Sequence, residues 1–449
     1  MKFLHTADLH FGPKAEKLEE TIRTTDFILC HVEKNRPDVA ILAGDAFDFY
    51  DGPIRLDSPA ARAAIRFVQG LAELCPVLVV SGTPSHDRGG PEVLREVRGR
   101  HPIHVSTEIE MVGLFRTDSG SFWHDLSAET NYSLQAAFTC IPTVDKARLY
   151  ANGSGSRAEG NAQARELLSD LFGELGKINE TLTGVPRFAV GHGMITGAQF
   201  STGQEAVGED LEYGVSDLLR LGCDYYAWGH VHKYQRFADG CICYSGSPGR
   251  LNFGEIEKKG FVLGEIVAGQ LETRFVPTPA RRFAFKDVAW QGEPGEVLRA
   301  VGELVDEGVE GAHVRFRYTM PEEHAGSVDR ANLEKTFRDA GAVQVKIEPT
   351  ILPKVRQRAE GISRLSSLRD KAAKWGETVG EPISEDVLAL VAEVETKDTE
   401  TLAIEALERV NTDPFATNTS TPDYTERIRG ALDGFVQRQT GETVQQGLF

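Results

Sequence analysis

Five short segments of this chain carry the residue types that bind divalent cations and move protons. They are Asp8-Leu9-His10, Gly44-Asp45-Ala46-Phe47-Asp48, Ser85-His86-Asp87, Gly191-His192 and Gly229-His230-Val231-His232. Taken singly, each is ordinary: a histidine after a strand is usually a hydrogen-bonded structural residue, and Gly-Asp suits a turn. Taken together they are not. Side chains two positions apart on an extended segment project from one face. Asp8 and His10 can therefore reach one ion, and His230 and His232 repeat the arrangement. Carboxylates mixed with neutral imidazoles suit Mn, Fe or Zn better than Ca or Mg alone. Asp45 has two oxygens and can bridge two ions. Two ions about 3.5–4 Å apart would clamp the attacking and leaving oxygens of an in-line phosphoryl displacement.

Each segment follows a strand-like run. Phe3-Leu4, Val39 to Leu42 and Val77 to Val80 alternate with amphipathic stretches from Leu18 to Val32 and from Ala60 to Leu74. This β-α-β-α-β rhythm predicts a mainly parallel sheet, and such sheets gather ligand sites at their strand ends. From Glu108 to Ile141 the pattern turns antiparallel. Asn152 to Ser156 reads as a Gly/Ser-rich loop, and Ala158 to Ile178 as a helix. The strands Phe188 to Val190 and Tyr225 to Trp228 both run into Gly-His. Strands around Cys241 to Tyr244, Gly260 to Val267 and Leu271 to Val276 complete the unit. Pro277 and Pro279 then mark a boundary. Beyond it, Val314 to Tyr318 and Val343 to Ile347 flank a helix from Asp329 to Ala340, and the chain after Pro349 reads as largely helical.

With these residues in place, the chain resembles the calcineurin-like metallophosphoesterases, and more closely the SbcD-type nucleases that process DNA double-strand breaks. The opening segment Phe3 to Gly12 is similar to that of the family. The run Tyr244 to Glu255, followed by Lys258-Lys259-Gly260, looks like the return segment of its nucleases. The resemblance covers residues 1 to 275 well and 281 to 350 loosely. It implies an α/β fold, a four-layer αββα sandwich over residues 1–278, with a small α+β DNA-capping domain over 279–350 and a helical partner-binding region and tail over 351–449. It implies a two-metal phosphodiesterase, a DNA exonuclease or endonuclease of repair and recombination. Two Mn ions are expected, with Mg, Fe or Zn as substitutes. One ion would be held by Asp8, His10, Asp45 and His232, the other by Asp45, His192, His230 and a residue of the third segment. His86 would be the catalytic histidine, with Asp48 and His5 orienting its neighbours. The third segment departs from the pattern Gly-Asn-His-Asp. It reads Gly82-Thr83-Pro84-Ser85-His86-Asp87, so Ser85 stands where the asparagine is expected and the loop is two residues longer. His31, His101, His104, His124, His313 and His324 match no motif.

The chain has 449 residues, with 49 basic against 67 acidic, a formal net charge of -18. Bulk attraction to nucleic acid is excluded, so DNA contact must come from a local site. Arg281, Arg282, Lys286, Arg315 and Arg317 are candidate phosphate contacts in the capping region. No apolar run approaches the ~18 residues of a bilayer span, no signal-peptide core follows Met1, and six scattered cysteines form no disulfide framework. The expected location is cytoplasmic.

Residues 354 to 374 hold seven basic side chains against Glu360 and Asp370, an excess of +5. Leu365, Leu368 and Ala372 fall at helical spacing, and Glu385 to Val394 reads as a second helix. The resemblance implies that residues 351–395 dock on a coiled-coil ATPase of the SbcC type; whether a homodimer forms is left open. A helix from Thr425 to Gln437 precedes Gln445-Gln446-Gly447-Leu448-Phe449, which resembles a sliding-clamp-binding pentapeptide through Gln445, Leu448 and Phe449. Two other readings remain. One is a metallophosphoesterase for small nucleotides or phosphoproteins, and the other is a metal-free structural protein. The return segment and long C-terminal extension weigh against the first, and the intact Asp/His set against the second.

Overall fold

Continuous apolar strands need cover on both faces, and the computed structural model shows that cover. It describes residues 1–126, 132–144, 157–201, 204, 211–293, 295–353, 361–398 and 401–402. Strands β1 (Lys2–Thr6), β2 (Val39–Ala43) and β3 (Val77–Val80) are buried throughout, Lys2 excepted. They pair in parallel, with Ile103–Ser106 beyond β3, while Gly260–Val267 joins β1 antiparallel and Gln270–Pro277 lies at the other edge. A second sheet of seven strands includes Ser133–Ile141, Arg187–His192, Tyr225–Gly229 and Ile242–Tyr244.

The layers follow from which side chains face which way. Leu4, Leu42 and Val79 pack against Ile28 and Val32 of the helix Ala15–Asn35 and Phe67 and Leu71 of the helix Pro59–Ala72. Alternate residues Phe3, Ile41 and Leu78 face the second sheet and meet Phe138, Phe188 and Tyr225, where the Phe138 and Phe188 rings stack at 4.9 Å. The outer face of the second sheet, Tyr226, Trp228 and Ile242, is covered by Leu168 and Phe172 of the helix Arg157–Thr181. The result is the expected αββα sandwich. Helix Pro59–Ala72 starts where proline occupies the first turn and the Ser58 hydroxyl accepts from the Ala61 N–H, as helix entry favours.

After the sandwich, strands Arg282–Val288, Ala312–Pro321 and Gln344–Leu352 pair in parallel. Helices Gly295–Gly308 and Arg330–Asp339 cover one face through Val301, Leu304, Leu333 and Phe337. The sequence pattern missed the strand Arg282–Val288 and the helix Gly295–Gly308. The segment Met1–Pro353 forms one compact unit and Lys354–Phe449 another. In the second, helices Leu368–Val379 and Glu385–Thr396 lie side by side. The Ser367 hydroxyl accepts from the Asp370 N–H and starts the first of them at Leu368. Leu365 therefore lies ahead of the helix, and the expected stripe of Leu365, Leu368 and Ala372 is shorter than its spacing suggested.

All six cysteines are free. Among the described residues no helix is long and apolar enough to cross a membrane. The loop Asn152 to Ser156, the basic residues Lys354, Arg356 and Arg358, the helix Thr425 to Gln437 and the tail residues Gln445, Leu448 and Phe449 lie outside the described residues.

Candidate active site

The C-terminal ends of β1, β2, β3 and of strands Arg187–His192 and Tyr225–Gly229 converge, and the backbone locks them together. The Asp8 N–H donates to Gly44 O at 3.1 Å, and the His10 N–H to Asp45 O at 3.1 Å. Asp8, His10, Asp45 and His230 all have positive φ, at 54°, 53°, 48° and 106°. Such conformations cost roughly 1–3 kcal/mol each and persist where the surroundings impose them. Here they turn each side chain off its strand axis and into one cleft.

Three groups of side chains bring their donor atoms within 4.8 Å of one another: Asp8, His10 and His232; Asp45, His192 and His230; and His10, Asp48 and His86. Of the Asp and His residues in the five segments, all but Asp87 fall in these groups. His5 does not. It is fully buried on β1, its Nδ1 is 2.9 Å from the Tyr225 hydroxyl, and burial lowers its pKa to about 3. His5 thus packs the interface between the sheets.

The third segment differs from expectation. Ser85 is exposed on the short helix Pro84–Asp87 and is not brought into the cluster. Thr83 is: its N–H donates to Asp45 Oδ1 at 2.6 Å, and its Oγ1 lies 3.3 Å from Asp45 Oδ2 and 3.3 Å from His192 Nε2. The two extra residues coil into a turn, with the His86 and Asp87 N–H groups both donating to Thr83 O at 2.9 Å. That turn carries Ser85 outward and keeps His86 in the cleft. Asp87 holds the loop down, accepting from the Phe47 N–H at 2.9 Å and the Gly82 N–H at 2.6 Å. Burial and the nearby Asp45 charge raise its pKa to about 7.

Hydrogen bonds orient the imidazoles from behind. His192 Nδ1 donates to Ala43 O at 2.9 Å, which leaves Nε2 facing Asp45 Oδ2 at 3.2 Å. His232 Nδ1 faces Glu255 Oε1 at 3.3 Å, and Glu255 is in turn 2.9 Å from the buried Lys259 ammonium. Gln204 bridges the last loop, donating to His230 O at 2.6 Å and accepting from the His232 N–H at 3.1 Å. Sequence reasoning gave no role to Gln204, Glu255 or Lys259. The last two lie in the return segment, which was the available signal. His86 Nδ1 is 3.0 Å from Asp48 Oδ1. Burial pulls the His86 pKa down, but Asp48 and Asp45 outweigh it and raise the pKa above the ordinary value.

The donor set fits divalent cations. Asp8 Oδ2 is buried without a hydrogen-bond partner, which is costly unless something else binds it. His10 Nε2 and His232 Nε2 face each other at 3.1 Å, two lone-pair positions aimed at one point. Burial would lower the His192 pKa, yet Asp45 and Asp8 raise it to about 9, so the field at Nε2 favours positive charge. Burial alone would raise the Asp45 pKa; the His192 and His10 imidazoles hold it well below the usual carboxylate range.

Residues 1–234 match the family model for calcineurin-like phosphoesterases. The chain belongs to this family. Among curated relatives of this phosphoesterase, it is similar to the SbcD component of the nuclease SbcCD of Bacillus subtilis, 25% identical over 281 residues, which is 57% of this chain and 63% of that protein. It is also similar to the DNA double-strand break repair protein Mre11 of Aeropyrum pernix, 36% identical over 92 residues, 19% of this chain and 22% of that protein. The phosphoesterase chain thus spans less than two thirds of the length of these relatives.

Proposed function

We propose that this phosphoesterase is a divalent-cation-dependent DNA nuclease of repair or recombination that works with an ATPase partner of the SbcC type. The observation that carries the reading is the way the return segment ties the metal cluster to the unit that follows the sandwich. From one guanidinium, Arg250 donates to Glu255 O at 2.7 Å, Glu257 O at 2.8 Å and Arg281 O at 2.8 Å, while Glu255 backs His232. Phe253 stacks on Phe283 at 4.4 Å. A three-stranded unit built onto the site suits a long polymeric substrate, and a small phosphoester needs none. The names of the two relatives point the same way.

In this reading residues 1–278 are the nuclease domain, 279–350 the cap and 351–449 the partner-binding region and tail. Asp8, His10, Asp45 and His232 would hold one cation, and Asp45, His192 and His230 a second. Cations there supply Lewis-acid charge at the scissile phosphate and lower the pKa of water. The chain's own groups do the rest. Asp48 holds His86 Nδ1–H, so that Nε2 is aimed away from Asp48 and can carry a proton. The Asp48 bond holds that proton in place for the leaving 3′ oxygen. His10 stands edge-on to His86 at 4.7 Å and limits how far its ring can turn.

The cap's basic residues are engaged internally. Lys286 pairs with Glu303, Arg315 with Glu348 and Arg317 with Asp287, while Arg282 donates to Glu310 O and Arg281 to Arg250 O. Phosphate binding there would require exchanging these partners. In the second unit, Arg369 pairs with Glu385 and Lys374 with Glu377. Leu368, Ala372, Val387, Leu390, Val391 and Val394 line an open apolar groove of about 390 Å³ between the two helices, which is the surface proposed to receive the ATPase coiled coil.

The test is cleavage of end-labelled linear duplex by the purified full-length chain with Mn. Chelator should abolish cleavage, and His86→Ser should abolish it while Mn binding persists. Turnover of nucleoside monophosphates or phosphopeptides with no action on DNA would instead establish the small-substrate reading.

A further inference from the structure

Thr83 holds the N-cap position of the helix Pro84–Asp87, where a threonine hydroxyl ordinarily accepts a backbone N–H of the first turn. It makes no such bond. Its Oγ1 is turned the other way, into the cluster, and completes a triangle with two side chains already assigned to the second cation. Thr83 Oγ1 to Asp45 Oδ2 is 3.3 Å, Thr83 Oγ1 to His192 Nε2 is 3.3 Å, and His192 Nε2 to Asp45 Oδ2 is 3.2 Å. Three donors nearly equidistant in this way have the spacing of one face of a coordination shell. Bonds of about 2.1–2.3 Å meeting at right angles put neighbouring donors about 3.0–3.3 Å apart. The triangle is held from behind at each corner. The Thr83 N–H fixes Asp45 Oδ1 at 2.6 Å, the His192 Nδ1–H is held by Ala43 O, and Thr83 O anchors the turn that follows.

The geometry points to Thr83 Oγ1 as a ligand of the second cation, in the place where the resemblance led to Ser85. The inference rests on the two-cation reading of the site and goes beyond it in naming a neutral hydroxyl from a different residue. A hydroxyl is a hard, weak donor with no soft character. The second site is therefore the weaker one, and it favours Mn over softer competitors.

The test is calorimetric titration of the metal-free full-length chain with MnCl2, with Mn electron paramagnetic resonance as a second readout; neither depends on activity. The unmodified chain should show a tight and a weaker event. Thr83→Val, which keeps the shape and removes the hydroxyl, should weaken the second event at least tenfold and leave the first unchanged, which also reports an intact fold. Thr83→Ser should restore the second event to within about threefold, and Ser85→Ala should change neither. A second event unaffected by Thr83→Val, or one lost equally in Thr83→Ser, overturns the assignment. So does a second event lost in Ser85→Ala. An unmodified chain with no second Mn event overturns the two-cation reading itself.

Discussion

Lys259→Met tests whether the support behind His232 is a single electrostatic unit. Lys259 is 2% exposed, and its ammonium reaches Glu255 Oε2 at 2.9 Å, Glu257 Oε1 at 2.7 Å and His232 O at 3.0 Å. Ser201 Oγ lies farther off at 3.5 Å, and each of the three ammonium protons has an acceptor. Methionine fills similar space and leaves the Glu255 carboxylate buried without its cation. Breaking a buried pair from one side costs about 3–5 kcal/mol. The pKa of Glu255 gives an independent scale. Burial alone would raise it, but the His232 bond and the Lys259 charge bring it from 4.5 to about 2. At about 1.4 kcal/mol per pH unit, that is about 3 kcal/mol, shared between the His232 bond and the Lys259 charge, so it is an upper bound for Lys259 alone. A carboxyl whose folded pKa is depressed contributes stability above its unfolded pKa and loses it as pH falls. The gap between the unmodified and variant proteins should therefore be widest at pH 7 and should narrow as pH falls through the variant's folded Glu255 pKa, which burial raises once the Lys259 charge is gone, down to about 2. The assay is urea unfolding of the full-length chain in chelator at pH 7, 5 and 4. Glu255→Gln with Lys259→Met should recover more than half of the loss, because neither partner is then left charged and alone. A single variant within about 0.5 kcal/mol of the unmodified protein at pH 7, or a double variant no better than the single, would refute the reasoning.

Gly44→Ala should cost about 2–4 kcal/mol in unfolding free energy and weaken the second Mn event, because φ is +88° and a Cβ there would lie 2.1 Å from His192 Nδ1; near-normal stability with both Mn events intact would argue against the close approach. Asp48→Asn should lower the His86 pKa and move the alkaline fall of the cleavage rate to lower pH, since the Asp48 bond, together with the Asp45 charge, holds that pKa up; an unshifted pH–rate profile would remove His86 as the proton donor. Leu390→Asp with Val394→Asp should abolish association with the proposed SbcC-type ATPase in a pull-down and leave the proposed cleavage of linear DNA unchanged, because both line the open groove between the two C-terminal helices; retained association would place the docking surface elsewhere.

The site was legible where apolar runs locate the strand ends. Asp8 with His10, and His230 with His232, reach one cleft because both pairs sit at strand ends that the apolar runs already located. The positive φ values of Asp8, His10 and Asp45 were not legible, since nothing in a residue's type announces that its neighbours will force it there. Loop path was not legible either. Between Gly82 and His86 the sequence offers hydroxyls on Thr83 and Ser85, and only the turn closed onto Thr83 O decides which one faces Asp45. Charge counting was incomplete for a related reason. The parallel register of the last three strands sets Asp287 opposite Arg317 and Arg317 opposite Glu348, with Arg315 close enough to take Glu348 as its own partner. Basic residues that look free in sequence therefore arrive already paired. A surface of matched pairs binds a polyanion only by exchange, so salt dependence should be shallower here than a count of arginines suggests. In the proposed nuclease the strongest attraction to DNA should lie at the cation cluster, where Asp8 Oδ2 is buried without a hydrogen-bond partner.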